Sequence, residues 1–219
     1  MILKLDLHTH SIASPDGGLT MRDYKQALKN KQLDYIAITD HNTIAFALLA
    51  NRTLGDRIII GEEIMTTEGE IIGLYLQRPV AAGLSPKDTI AAIRQQNGIV
   101  YIPHPFETLR SGLQLSTMER IKDHIDIVET FNGRALSKKV TQQAAAWARE
   151  RGKSVAASSD AHGRLGWRKT YTLIDDEPSR ANLKASLTKP VLVQKGVGLS
   201  GLLYPKVNRY IMKGQRNNV

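Results

Sequence analysis

The strongest constraint on this chain is a rhythm. Short runs rich in Ile, Val, Leu and Ala recur along it, separated by longer stretches with helical spacing. The runs are ILKLDLH (2–8), YIAITDH (35–41), RIIIGEE (57–63), EIIGLYL (70–76), GIVYIPH (98–104), IDIVETF (125–131), SVAASSD (154–160) and TYTLI (170–174). Between them, Thr20 to about Lys31 opens Thr-x-x-Asp, and Ser85 to Gln96 opens Ser-Pro-x-Asp, an N-cap with proline at the first helical position. Ser137 to Arg151 is followed by Gly152, a glycine stop. Strands alternating with helices of this length predict a parallel α/β fold. Seven or so such units without a change of composition favour closure into a barrel, and 219 residues suit a single unit of that kind. No GxGxxG follows the first run and no GxxxxGK[ST] occurs, which removes the usual dinucleotide and P-loop chemistries.

The residues that end the runs carry the functional information. The first run ends in His8 and His10, the second in Asp40 and His41, the third in Glu62 and Glu63. The fourth begins at Glu70, the fifth ends at His104, and the run 154–160 leads into Asp160 and His162. Five of the six histidines thus fall at strand C-termini, where α/β barrels collect their ligands. Residues i and i+2 of a strand point to one side, so His8 with His10, and Asp160 with His162, can each converge on a point.

Imidazole and carboxylate donors without thiolate suit zinc, manganese or iron(II) better than calcium or magnesium alone. The chain has no cysteine, which excludes thiolate metal sites, disulfides and cysteine nucleophiles and suits a reducing, cytoplasmic setting. His8, His10, Asp16, His41, Glu63, Glu70, His104, Asp160 and His162 make nine candidate donors. One ion takes four to six, so the set implies two or three divalent ions, with Glu63 the natural bridge. Clustered divalent ions generate hydroxide at neutral pH and clamp the oxygens of an in-line displacement at phosphorus. Hydrolysis of a phosphate ester follows most naturally. A Ser-His-Asp triad is disfavoured, since no GxSxG elbow is present.

Read in order, DLHTHS, ITDHN, GEE, the His-Pro of YIPHPF and SSDAH resemble the PHP (polymerase and histidinol phosphatase) domain superfamily over about residues 2 to 175. HTHSxxSPDG, the GEEI…EGEIIGL spacing and LGWRKTYTLI are most similar to its small stand-alone phosphoesterases. The resemblance implies a distorted seven-stranded (β/α) TIM-like barrel with a trinuclear metal site at its rim. It matches His8 and His10 to paired ligands, Asp16 to a further ligand six residues on, His41 to the second-motif ligand and Glu63 to the bridging carboxylate. His104 matches the histidine before proline, Asp160 and His162 the last pair, and Asp40 an orienting group. Glu70 departs from the pattern, because members with nucleotide- or histidinol-phosphatase sites often carry histidine there.

The implied activity is a metal-dependent phosphoesterase acting on a monoester of a small metabolite or nucleotide through a metal-bridging hydroxide. His41, Asp160 or His162 would assist proton transfer. Phosphate recognition needs cations near the rim; Arg134, Arg164, Arg168 and Arg110 are the candidates, with Asn132 as a hydrogen-bonding partner.

Net charge is +9, and residues 195–219 hold five Lys or Arg with no Asp or Glu. The barrel domain is therefore read as 1–195. The basic tail, 196–219, is read as a helix docking Leu203, Val207, Tyr210 and Ile211. Such charge suits an anionic partner, nucleic acid included. This keeps two alternatives open: a nuclease acting on nucleic-acid ends, or a non-catalytic binding module. The N-terminus lacks a basic, apolar leader and no eighteen apolar residues run together, so neither secretion nor membrane insertion is expected.

Overall fold

The structure, a computed structural model, describes residues 1–196, 198 and 202–208. In chain order the elements are β1 (Leu3–Asp6), α1 (Met21–Lys29), β2 (Tyr35–Ile38), α2 (Ala45–Leu54), β3 (Ile58–Thr66), β4 (Gly69–Leu74), α3 (Pro86–Arg94) and β5 (Ile99–Ile102). There follow α4 (Leu115–Ile121), β6 (Ile127–Asn132), α5 (Lys138–Glu150), β7 (Ser154–Ser158), β8 (Tyr171–Ile174), α6 (Leu183–Ser186) and β9 (Val191–Val193).

Local chemistry starts the helices where expected. Thr20 caps α1 reciprocally with Asp23, whose carboxylate accepts the Thr20 amide at 2.8 Å. Ser85 caps α3 ahead of Pro86. Gly152 takes the left-handed conformation just beyond α5, with φ of 59°.

The strands form one sheet in the order β7-β6-β5-β4-β3-β2-β1-β8-β9. It is not purely parallel. β1 with β2, β2 with β3, β5 with β6 and β6 with β7 are parallel, but β4 runs antiparallel to both β3 and β5. A tight turn at 67–68 joins β3 to β4, leaving no room for a crossover helix between them. β8 and β9 extend the sheet antiparallel beyond β1, so the described residues form nine strands where seven were expected. The ends of β7 and β1 meet through the Thr9–Ala161 bridge, with Asp160 N donating to His8 O and His10 N to Ala161 O, both at 2.9 Å. The result is an α/β fold with a nearly closed, barrel-like sheet.

Leu3, Leu5, Leu7, Ala37, Ile59, Ile72, Leu74, Ile99, Tyr101, Ile127 and Ala156 pack together inside it. Leu183 and Leu187 join this cluster from α6 and the turn after it, which close its lower end. Opposite strand faces pack against the helices, for example Ile36, Ile38 and Ile58 on Tyr24 and Ala47. Each fully buried Leu or Ile contributes about 1.5–3 kcal/mol. Among the described residues no helix is long and apolar enough to cross a membrane.

The basic tail differs from expectation. Residues 202–208 are helical, but Leu203 and Val207 are 50% and 54% exposed rather than docked. Tyr210 and Ile211 lie outside the described residues.

Candidate metal centre

Strand parity builds the site. In β3 the inward row Ile59, Gly61 continues to Glu63, while Ile58 and Ile60 face the helices and place Glu62 outward. Glu62 there accepts Val80 N at 2.8 Å, and burial raises its pKa to about 7. In β7 the inward row Ala156, Ser158 leads to Asp160, and in β6 Ile127 leads to Glu129. The antiparallel course of β4 explains Glu70: the start of this strand, not its end, lies on the rim, in the inward row Leu74, Ile72, Glu70. β1 breaks the rule. Its row Leu3, Leu5, Leu7 would turn His8 outward, but regular pairing stops at Asp6 and the chain slips by one residue. His8 and His10 then both face inward, their Nε2 atoms 3.1 Å apart.

The donors converge tightly. His8 Nε2 lies 3.3 Å from Glu63 and 3.6 Å from Asp160, and His10 Nε2 lies 3.2 Å and 3.4 Å from the same carboxylates. His41 Nδ1 is 3.2 Å from Glu63 and 3.5 Å from Glu70, and His104 Nε2 is 3.1 Å from Glu63. Asp16 lies 3.5 Å from His162 and 3.7 Å from His41. All nine sequence-predicted donors are thus brought together, and Glu63 touches four histidines. Two ligands about 2.1 Å from one tetrahedral ion lie about 3.4 Å apart, which is the spacing seen here. His10–His41–His162, His8–His10–Glu63, His8–His104–Asp160 and His41–Glu63–Glu70 each form a group able to hold an ion. Nitrogen and carboxylate oxygen in this proportion fit zinc, manganese or iron.

Electrostatics agree with a site completed by cations. Burial alone would depress His8, yet Glu63, Asp160 and Glu129 hold its pKa well above the usual imidazole value. His10 is buried in the same way, and Asp160 and Glu63 carry it up to about 9. Burial, with the charges of Glu63 and Asp160, pushes Glu70 up to about 9. Two of the donors, His104 and Asp160, hold positive φ angles of 27° and 50°, a conformation that non-glycine residues adopt at a cost.

A surrounding layer orients the donors. Asp40 accepts Ser11 N, Ser11 Oγ and Ser14 Oγ at 2.7, 2.6 and 2.9 Å, and Ser14 Oγ lies 3.1 Å from His10 Nδ1. Glu129 does the same on the far side, and the sequence reading overlooked it. It lies 3.2 Å from His8 Nδ1 and accepts Tyr101 Oη, His104 N and Asn132 Nδ2 at 2.7–2.8 Å. Its one signal was its place two residues after Ile127, on the inward parity of the run IDIVETF.

The candidate phosphate-binding cations separate into two pairs. Arg110 donates to Asp160 at 2.6 Å and to Asn132 at 2.8 Å. Arg134 lies 3.4 Å from Asp160 and 3.1 Å from His162 Nδ1. The two side chains are only 13% and 14% exposed. Arg164 instead pairs with Asp23 of α1, and Arg168 with Gln32 just beyond that helix, so neither reaches the cluster. Asn132 directs both ends of its amide to protein partners, among them Asp160 and Glu129.

Comparison with known proteins fits this geometry. The PHP domain family model matches residues 6–102, a span that holds six of the nine donors and stops just short of His104. An uncharacterized protein of Methanocaldococcus jannaschii is 39% identical over 144 residues, covering 59% of this chain and 82% of the relative. Among solved structures, a two-domain protein from Bacteroides vulgatus containing a predicted PHP-like metal-dependent phosphoesterase superposes with a TM-score of 0.72. It is 20% identical, over 95% of this chain and 70% of that one. The lesion-specific endonuclease Q of Pyrococcus furiosus gives 0.64 at 14% identity, over 88% of this chain and 58% of its own. At such identities the two structures speak to fold alone. With the sequence relative, the matched segment and the shared barrel all in agreement, this chain belongs to the PHP domain family.

Proposed function

We propose that the chain hydrolyses a phosphate monoester of a small metabolite or nucleotide in a reaction that depends on two or three divalent ions. The observation that carries this reading is the meeting, at Asp160, of a nine-donor cluster with two nearly buried guanidinium groups, Arg110 and Arg134. A centre built only to bind metal has no need of buried arginines beside its ligands, whereas a phosphoryl group needs both.

His8, His10, Glu63, Asp160 and their neighbours would hold the ions, which when bound polarise the phosphoryl group and lower the pKa of water in the site. Arg134, and Arg110 behind it, bind the non-bridging phosphoryl oxygens and offset the charge that grows there. The arginines already face the Asp160 carboxylate, so little reorientation is needed when an anion arrives. His41 is the most open of the five site histidines, with its side chain 23% exposed. In this reading its imidazole, where it is not engaged by an ion, would assist proton transfer to the departing oxygen. The Ser11–Asp40–Ser14 and Glu129 networks keep the imidazoles in the required orientation.

A second reading, cleavage at nucleic-acid ends, is favoured by the net charge of +9 and the fold shared with endonuclease Q. One screen separates the two. The protein, loaded with Mn²⁺, is offered p-nitrophenyl phosphate, nucleoside bisphosphates and short oligonucleotides. Turnover of monoesters that disappears in His10→Ala and Asp160→Ala supports the first reading. Turnover confined to oligonucleotides supports the second. Activity unchanged in both variants rejects the site itself.

A further inference from the structure

The helical residues 202–208 touch the barrel at two particular loops. Gly17 and Gly18 directly follow Asp16, and Gly163 directly follows His162. A Cβ placed on Gly163 would lie 2.5 Å from the Tyr204 ring, and one on Gly18 would lie 2.6 Å from the Tyr204 hydroxyl and 3.2 Å from His162 O. Both are closer than real Cβ atoms approach, so the two glycines are what let the tyrosine ring settle between the loops. Asn208 Nδ2 adds a hydrogen bond to Gly17 O at 2.6 Å, and Pro205 is buried.

The two loops come from opposite ends of the chain and meet beside Asp16 Oδ1 and His162 Nε2, which are 3.5 Å apart. The same two segments are also joined by the Thr9–Ala161 bridge, by Arg164 on Asp23 and, on the open side, by His41, which lies 3.7 Å from Asp16. A carboxylate and an imidazole from loops so distant in sequence must be fixed relative to each other before they can share an ion.

We propose that residues 202–208 act as a clasp: Tyr204 and Asn208 hold the Asp16 and His162 loops in register and so complete the metal subsite formed by His10, His41, His162 and Asp16. The subsite around His8, Glu63, His104 and Asp160 is braced by Glu129 and does not depend on the clasp. Tyr204 and Asn208 are positioning residues, since neither is a donor. The proposal rests on reading the cluster as a divalent-metal centre and adds that its two sides are held by different parts of the chain.

Mn²⁺ titration of metal-free full-length protein, followed by calorimetry and by metal analysis after dialysis, tests it without any assay of turnover. The wild type, Tyr204→Phe, Tyr204→Ala, Asn208→Ala and the double alanine variant are compared, with far-UV circular dichroism as the control for folding. Tyr204→Phe should keep most of the wild-type affinity, because the ring approaches both glycines and only the hydroxyl contact at Gly18 is lost. The double variant should bind its most weakly held ion at least tenfold less tightly while keeping the others, with Asn208→Ala intermediate. Equal affinity and stoichiometry in wild type and double variant overturn the clasp and leave the metal centre standing. Loss of all ions together, or Tyr204→Phe as impaired as Tyr204→Ala, overturns it as well. A wild type that binds no Mn²⁺ overturns both the clasp and the proposed function.

Discussion

On the β1–β4 side of the rim, His10 and His41 are oriented by hydroxyl and backbone groups of Ser11 and Ser14 gathered on Asp40. On the β5–β7 side, Asp160 faces two guanidinium groups and an amide, from Arg110, Arg134 and Asn132. Both sides supply metal donors of the same types. Only the second surrounds them with permanent cations. Under the proposed function the first half would hold ions alone, whereas the second would hold ions and also present Arg110 and Arg134 to an anionic substrate. Glu70 stands apart: burial, with the charges of Glu63 and Asp160, pushes its carboxyl up to about 9. Glu63 and Asp160 are buried as well, but His8 with His41, and Arg134 with His8, respectively hold them well below the usual carboxylate range.

The comparison can be broken at several points. Replacing one donor from each half, His10→Ala and Asp160→Ala, should each reduce monoester turnover by about 10³-fold or more, some 4 kcal/mol of barrel-rim chemistry, with the far-UV spectrum unchanged. Sharper is the contrast between orienting groups. Arg134→Ala should lower kcat/KM for a phosphomonoester by about 10²-fold and leave Mn²⁺ affinity near the wild-type value. Ser14→Ala should do the reverse, weakening Mn²⁺ by about tenfold or more through the loss of His10 alignment. If both variants change the same parameter, the two halves are not functionally distinct.

Metal removal gives a smaller effect, read as stability. Ions held at 100 times their Kd stabilise the folded state by about 2.7 kcal/mol per site. Chelation should therefore lower the Tm by about 5–10 °C for each site emptied in a chain of this size, and restoring Mn²⁺ should recover it. The smallest effect lies away from the rim. Burial would raise the Asp23 carboxyl, but its bonds to Thr20 and its Arg164 partner hold it below the usual value. Its contribution is present above the unfolded carboxyl pKa of about 3.9 and is lost as pH falls through the lower folded value. Asp23→Asn should cost about 1 kcal/mol at neutral pH and converge on the wild type in acid, as thermal melts at pH 7 and below 3 would show.

Much of this was legible from residues alone, and particular positions show why. Glu63 rather than Glu62 follows from counting along β3, because side chains alternate whatever the rest of the fold does. The caps at Thr20 and Ser85 are likewise local. The antiparallel course of β4 was not legible, since pairing direction depends on which distant strand a segment meets. Glu129 was missed because it sits inside a run rather than at its end, and its importance comes from facing His8, 121 positions away.

Legible in the sequence alone was the set of candidate donors, because imidazoles and carboxylates gather around the ends of the apolar runs. Alternation by two accounts for Glu63, Asp160 and His162, whereas His8, His10 and His104 lie off the inward parity of their strands and face the cluster through the breaks that follow β1 and β5. Which arginines reach the cluster depends on tertiary structure. Arg134, Arg164 and Arg168 sit between regular elements and Arg110 ends a single 3₁₀ turn, Thr108–Arg110, so no long period dictates their direction, and each guanidinium pairs with the carboxylate or amide that folding brings within reach. For Arg110 and Arg134 that partner was Asp160. For Arg164 and Arg168 it was Asp23 and Gln32. The helical residues 202–208 followed the same logic: Leu203 and Val207 stayed about half exposed, and the contact was made by Tyr204, because two glycines a hundred and forty-five residues apart left it room.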